Sequence, residues 1–346
     1  MDTSRTGTED LKMTPPTAAF LVTKAMLDHC FAPRDLERIG RRTACRLPAG
    51  DALTPETQKD AARGAEIIIT GWGTLPITPA MLDAAPGLRL MCHSAGSIKH
   101  LVNEEFLARG VRVCSAARAL ATGVAEFAFG LMLVSMKATW QLNDTTRTGI
   151  WKRDDAMEWI REPYGATVGI VGASYVGREM IRLCQNLELE AILLYDPYVS
   201  DDEAERLGVV KVELDELMRR SDVVSLHTPA TEECRHLINA KRLALMKDRA
   251  IFINTARGLC VDEQALIAEL ESGRIMACLD VTDPEPPEPG SPLYTLPNCI
   301  LTPHVAGAVK QNTHRQGALV ADQIEAYLDG RDLPFEVNLS QLHRTA

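Results

Sequence analysis

Positive charge is scarce in this chain: 37 lysines and arginines stand against 47 acidic residues, a formal net charge of −10. Nucleic acids and anionic membranes are bound through basic patches, so neither is expected as a general partner. No apolar run reads as long enough for a membrane span of roughly 18–20 residues. Residues 1–16 are polar and hold no signal-peptide core, so they read as a loose tail. The nine cysteines show neither paired nor metal-type spacing. An odd, scattered set implies reduced thiols buried as small apolar side chains, as in the cytoplasm. There is no H-E-x-x-H and no Cys/His pair at ligand spacing, hence no expected metal. A G-x-S-x-G hydrolase elbow and any internal repeat are also missing.

What is present points to an α/β protein. At 346 residues the chain exceeds the usual size of one domain, and 46% hydrophobic content supplies real cores. Residues 18–23, 43–47, 66–70, 90–93 and 111–114 are strand-like, with helical patterns at 34–40, 55–63 and 79–84 between them. Such alternation predicts a parallel sheet with helices on its faces. The longest apolar helix candidate is 123–140, interrupted by Glu126 and Lys137, which suits a domain-joining or dimer helix. After a polar stretch at 143–162 a second series follows. Its strands are expected at 167–171, 191–196, 223–227, 251–254, 277–280 and 300–302. Helices are expected at 176–187, 214–219, 240–246 and 263–272, and a last one at 313–328.

The first turn of the second series carries chemistry. Val168-Gly169-Ile170-Val171 runs into Gly172-Ala173-Ser174-Tyr175-Val176-Gly177 and then a helix, the strand–turn–helix context of a dinucleotide-phosphate loop. Gly172 allows the tight turn, Gly177 allows close helix packing, and the helix N-terminus offers N–H groups to a pyrophosphate. Ser174 stands where the fingerprint expects glycine. Asp196 closes the next strand, 19 residues beyond Gly177, where a carboxylate accepts the ribose hydroxyls. The plainer reading of Asp196-Pro197 is a turn.

Three later strands each end in a residue suited to a 2-oxo acid. Residues 250–254 lead to Thr255-Ala256-Arg257-Gly258, residues 276–280 lead to the loop with Glu285, and residues 300–302 lead to Pro303-His304. Ligands in open α/β sheets bind beyond the carboxyl ends of the strands, so an arginine, a carboxylate and a histidine can converge there. His29, His93, His100, His236, His314 and His343 read as structural.

With these stretches, and with residues 223–228, 279–286 and 302–307, the chain resembles the D-isomer-specific 2-hydroxyacid dehydrogenases over about 18–328. Asn254-Thr255-Ala256-Arg257-Gly258 is the most specific piece, and Val124-Ala125-Glu126 a weaker one. The resemblance implies two doubly wound parallel-sheet domains with the active site in the cleft between them. One is a Rossmann NAD-binding domain at 123–308; the other is a smaller, discontinuous, flavodoxin-like substrate domain at 17–122 and 309–338. It implies NAD as cofactor, a homodimer formed through the NAD-binding domain, and no nucleic-acid or membrane partner. Cofactor contacts would come from Gly172, Ser174, Tyr175, Val176, Gly177, Asp196, Pro197, His227, Thr228, Pro229, Thr255, Ala256, Asp280, Ala306, Gly307 and Val124, with Asp280 on the nicotinamide amide. Arg257 would clamp the substrate carboxylate and keto oxygen. His304 would protonate the keto oxygen, and Glu285 would orient its ring and favour the charged form. The Ala95-Gly96-Ser97 turn would offer N–H groups to the substrate carboxylate.

Departures from the family bear on substrate. Thr70-Gly71-Trp72-Gly73-Thr74 stands where many relatives carry an arginine–serine pair, which weakens the case for a phosphorylated substrate and leaves Trp72 to wall the pocket. Ile98-Lys99-His100 replaces the usual acidic and amide residues; Lys99 reads as a solvated lysine ahead of the alternative, contact with a second acidic group on the substrate. The leading expectation is interconversion of a 2-oxo acid and its D-2-hydroxy acid. The second is an NAD(H)-sensing, corepressor-like binding protein, and the third a formate-type dehydrogenase, which needs no acid–base pair.

Overall fold

Parallel sheets are covered on both faces and therefore read as continuous apolar runs. Ile67-Ile68-Ile69-Thr70, wholly buried, is such a run. The protein, seen in a computed structural model that describes residues 14–48, 50–151, 158–309 and 311–344, has two sheets of this kind. The expected tail falls outside the described residues up to Met13, as do 152–157 of the polar stretch.

The chain divides into two compact units, one of 1–116 with 317–337 and the other of 117–316 with 338–346. The first holds β1 (Thr17–Phe20), β2 (Ala44–Arg46), β3 (Ile67–Thr70), β4 (Leu90–His93) and β5 (Arg112–Ser115). These are parallel in the order β2-β1-β3-β4-β5, the flavodoxin-like winding. The second holds β6 (Thr167–Val171), β7 (Ala191–Tyr195), β8 (Val210–Lys211), β9 (Val223–Leu226), β10 (Ile251–Asn254), β11 (Met276–Leu279) and β12 (Cys299–Leu301). Their order is β12-β11-β10-β9-β6-β7-β8, all parallel, a Rossmann winding with one further strand. Chain direction across the sheet reverses between β6 and β9, where a crevice for ligands opens.

Alternate residues of each strand serve opposite faces. In the second unit Val224, Phe252 and Ala277 enter one core, and Val223, Ile251, Ile253, Met276 and Cys278 enter the other. The edge strands β2 and β8 are largely exposed, and β8 is only two residues long, so no apolar run announced it.

Several boundaries differ from expectation. The helix expected at 123–140 spans Ala117–Met136, ends where Ala138 takes φ +48°, and resumes as Thr139–Arg147. By length and composition it can cross a membrane, contrary to the sequence reading. Its Ala125, Ala128, Leu131, Met132 and Met136 are instead buried in the core of its own unit. Short helices at Lys24–Cys30, Glu104–Ala108 and Asp201–Arg206 were not anticipated; each is set by a side-chain cap, from Thr23, Asn103 and Ser200.

The units part at 116/117 and 316/317 rather than at 122/123 and 308/309. The first shift follows from the unbroken helix that starts at Ala117. The second falls inside the helix Gln311–Leu328, whose Val320, Ala321 and Ile324 join the core of the first unit. Gly317 makes that seat possible, because a Cβ there would lie 2.4 Å from the Cys30 carbonyl oxygen.

Phe252 is fully buried at the centre of β10 and packs in the larger core of its unit. Phe252→Ala is expected to cost about 3–5 kcal/mol, measured as a lowered urea midpoint for the transition of that unit.

Candidate active site

The glycine turn is built by close backbone approach. Gly172 has φ +97°, and its N–H donates to the Tyr195 carbonyl at 2.8 Å. A Cβ on Gly177 would lie 2.0 Å from the Gly172 carbonyl oxygen, so the helix Tyr175–Cys184 seats on the turn only because residue 177 has none. Ser174 caps this helix, its Oγ accepting from the Gly177 N–H at 3.3 Å. The departure from glycine at 174 is thus a helix cap. Asp196 accepts from the Ala173 N–H at 2.7 Å and from the Tyr198 N–H at 2.8 Å. The carboxylate shapes a turn, as the plainer reading of Asp196-Pro197 has it, and also reaches the glycine loop.

At the carboxyl end of β9 lies His227, fully buried, its Nε2 2.9 Å from Ser225 Oγ. Burial pushes its pKa down to about 3, so the ring is neutral at neutral pH. Its Nδ1 and the Oγ1 of Thr255 are buried without a hydrogen-bond partner among the described residues. Buried polar atoms are ordinarily bonded, and these two flank the strand ends where a dinucleotide lies in such folds. The glycine turn, the open N–H groups of a helix start, the Asp196 carboxylate and the two orphaned atoms fit that cofactor.

Strands β10, β11 and β12 are neighbours in register, with Asn254 beside Leu279 and Leu279 beside Leu301, so the loops that follow emerge side by side. The buried Asn254 side chain shapes the first loop, accepting from the Ala256 N–H at 3.0 Å and donating to the Arg257 carbonyl at 3.1 Å. Arg257 gives Nη1 to the Ala256 carbonyl at 2.6 Å, one of its five N–H donors.

The second and third loops meet. His304 Nδ1 lies 2.6 Å from Glu285 Oε1, both side chains partly open to solvent, so Nε2 is the ring nitrogen not engaged by Glu285. The backbone of His304 is left-handed at φ +52°, a region that His enters more readily than most residues. What holds it is Asp280, 1% exposed. Oδ1 accepts from the Thr302 hydroxyl at 2.5 Å and the Val305 N–H at 2.9 Å, Oδ2 accepts from the Ala306 N–H at 2.9 Å, and the Asp280 carbonyl accepts from the His304 N–H at 3.0 Å. Three of about four acceptor places are filled, so Asp280 first of all holds the histidine loop, and one place remains for another donor. The Glu285 loop is tied down by Thr282 Oγ1 on the Pro284 carbonyl at 2.7 Å and by the Asp283 N–H on Glu263 Oε2 at 3.2 Å. Burial raises the Glu263 carboxyl above the usual range. Val124 packs on Gly307, where a Cβ would lie 3.0 Å from Val124 Cγ2.

In the first unit, the Ser115 hydroxyl donates to the Gly96 carbonyl at 2.7 Å and contacts that of Ala95 at 3.2 Å, fixing the loop that continues to Ser97. Trp72 is half-buried against the core and 6.4 Å, ring to ring, from His29.

Fold, glycine turn and carboxylate define a dinucleotide-binding α/β protein. Residues 129–306 match the model described as D-isomer specific 2-hydroxyacid dehydrogenase, NAD binding domain. The chain belongs to the D-isomer-specific 2-hydroxyacid dehydrogenase family, and NAD is its cofactor. It is 36% identical over 268 residues to a glyoxylate reductase of Korarchaeum cryptofilum, covering 77% of this chain and 80% of that one. With a D-3-phosphoglycerate dehydrogenase of Methanocaldococcus jannaschii it shares 32% identity over 91% of this chain and 58% of the relative. The chain spans about half the length of the D-3-phosphoglycerate dehydrogenases it matches, 58% and 49% of two of them. The fold is that of Rhodotorula graminis D-mandelate dehydrogenase in its apo form, with a TM-score of 0.79 at 24% identity, covering 93% of this chain and 97% of that one.

Asn254, Thr302 and Ser115 escaped the sequence reading as site-building residues. Each acts by a local bond to backbone or to a neighbouring strand's residue, which no spacing in the sequence marks; Asn254 and Thr302 lay inside recognised stretches, and Ser115 did not. Ser174→Ala removes the cap and is expected to cost about 0.5–2 kcal/mol, whereas Ser174→Gly costs a few tenths. Thermal unfolding of the two variants beside the parent checks this, and equal losses would discard the cap.

Proposed function

We propose that this protein interconverts a 2-oxo acid and its D-2-hydroxy acid, and that the His304–Glu285 pair is the acid–base. The observation that carries the reading is the 2.6 Å bond between His304 Nδ1 and Glu285 Oε1 beside the Arg257 turn of the adjacent strands. NADH, when bound, supplies the hydride. Arg257 binds and orients the substrate's carboxylate and keto oxygen with the fork donors not spent on Ala256. His304 delivers the proton to the keto oxygen from Nε2 while Glu285 holds Nδ1 and balances the charge on the ring. Buried, neutral His227 cannot take this part, since burial keeps it from holding the second proton of an imidazolium. The backbone N–H groups of Ala95, Gly96 and Ser97 serve the substrate carboxylate, and Trp72 limits the substrate's side chain. Trp72 in place of a cation supports an unphosphorylated acid, as do relatives named glyoxylate reductase. A sensor without turnover has no use for a bonded His–Glu pair, nor has a formate-type enzyme, and both readings rank behind this one. We further infer a cytoplasmic homodimer joined through the NAD-binding domain, supported by reduced cysteines and by Trp151 and Tyr164, 90% and 77% exposed.

NADH oxidation is measured against glyoxylate, hydroxypyruvate, phenylpyruvate, 2-ketogluconate and 3-phosphohydroxypyruvate. Turnover on an unphosphorylated member is expected; tight NADH binding with no turnover on any would overturn the reading in favour of the sensor. His304→Ala should lower turnover by about 10²–10⁴ with NADH binding nearly intact, and Glu285→Gln should fall between it and the parent.

Asp196 would face a 2′-phosphate as a like charge, so NADH should be preferred over NADPH by ~1–3 kcal/mol. Equal efficiencies with the two cofactors in steady-state kinetics would remove Asp196 from the ribose site.

A further inference from the structure

All nine cysteines are free, and most fit the expectation of inert core thiols. Burial raises the pKa of Cys184 and Cys299 to about 12, and that of Cys30 and Cys278 to about 11. Two do not fit. Cys234 is half-buried and ends the short turn Glu232–Cys234 in the segment after β9. Cys260 is buried and ends the turn Gly258–Cys260 that follows Arg257. The fold zips these segments together: the His236 N–H donates to the Leu259 carbonyl at 3.0 Å and the Ile238 N–H to the Cys260 carbonyl at 2.9 Å. Cys260 lies in the core of this unit and Cys234 packs against the same core, so the zipped segments bring the two thiols together as neighbours. Cys260 Sγ also lies 3.5 Å from the Pro229 carbonyl.

We propose that Cys234 and Cys260 are a modification site, a dithiol that closes to a reversible disulfide when it meets a peroxide. Cys234, the more open of the two thiols, is the nucleophile, and its neighbour Cys260 lowers its pKa, which favours the attacking thiolate. Its sulfur attacks a peroxide oxygen, an S–O bond forms, the O–O bond breaks, and hydroxide leaves to become water. Cys260 then attacks the Cys234 sulfur, the S–S bond forms, and the S–O bond breaks. The oxygen departs as a second water with the Cys260 proton. Two thiols lose two electrons and the peroxide gains them; a small dithiol reductant reverses the change by exchange.

The bond acts on the cofactor side of the site. The two sulfurs must approach to about 2.05 Å to form the bond, so one segment moves. The Arg257 turn cannot, because a Cβ on Gly258 would lie 2.0 Å from the Thr282 backbone, so there is no slack there. The segment from Thr228 to Cys234 moves instead, and it starts beside the orphaned Nδ1 of His227. This regulatory consequence rests on the proposed cofactor position at His227, Thr228 and Pro229; the disulfide itself does not.

The test treats the whole protein with stoichiometric hydrogen peroxide. Peptide mapping without reduction should find Cys234 joined to Cys260, with a 2 Da loss of mass that dithiothreitol reverses. NADH affinity, read by fluorescence titration and as KM, should weaken by about fivefold or more, with kcat changed less. Cys234→Ser and Cys260→Ser should each bind NADH like the reduced parent and lose the response. Cys92 and Cys114, paired in register on β4 and β5 but buried, should stay unjoined. Absence of the 234–260 link, or a link that leaves NADH affinity unchanged, overturns the proposal. Because mapping and NADH titration need no turnover, failure of the dehydrogenase reading would show separately, in the substrate panel.

Discussion

A single buried carboxylate organises the loops at the carboxyl ends of β11 and β12 in the second unit. Asp280 closes β11 at 1% exposure and gathers the Thr302 hydroxyl and the Val305 and Ala306 N–H groups, while its carbonyl takes that of His304. A carboxylate at that depth is stable only with its lone pairs bonded, and the donors it needs are those of the histidine loop. Its own solvation demand therefore fixes the loop, holds His304 at a left-handed φ, and sets the imidazole on Glu285. Tolerance at such a position is small, since releasing the carboxylate strands a charge and frees the loop together.

The same device recurs within each unit. Asn254 ties the Arg257 turn, Asp196 ties the glycine loop, and Ser115 ties the Ala95–Gly96 carbonyls. Each is a polar residue at or next to a strand end that bonds the backbone of a loop. Functional side chains then sit on loops yet inherit the rigidity of the sheet. Glycines do the complementary work where two backbones must touch, as at Gly177 on Gly172 and Gly258 on Thr282.

The thiol pair follows from the same compactness. Two loops that the fold zips together bring the cysteines on them close. Cys260 lowers the pKa of Cys234, so in the proposed dithiol a packing residue acquires redox chemistry from its neighbour rather than from its own sequence context.

Much of this was legible in the sequence. Buried strands such as 67–70 and 251–254 declare themselves by apolar runs, and the loop at 172–177 by its glycines, because backbone conformation and burial leave composition behind them. Arg257, Glu285 and His304 could be named from local motifs. Other features were decided only in three dimensions. The helix Ala117–Met136 has the composition of a membrane span, and only its packing shows it to be a core helix. The two-residue β8 exists because an edge was available. The bond partners of Asp280 are 22 to 26 residues away, and Cys234 and Cys260 are as far apart in the chain. Such pairings depend on which strands are neighbours in the sheet, and strand order is a property of the folded chain that local spacing does not encode.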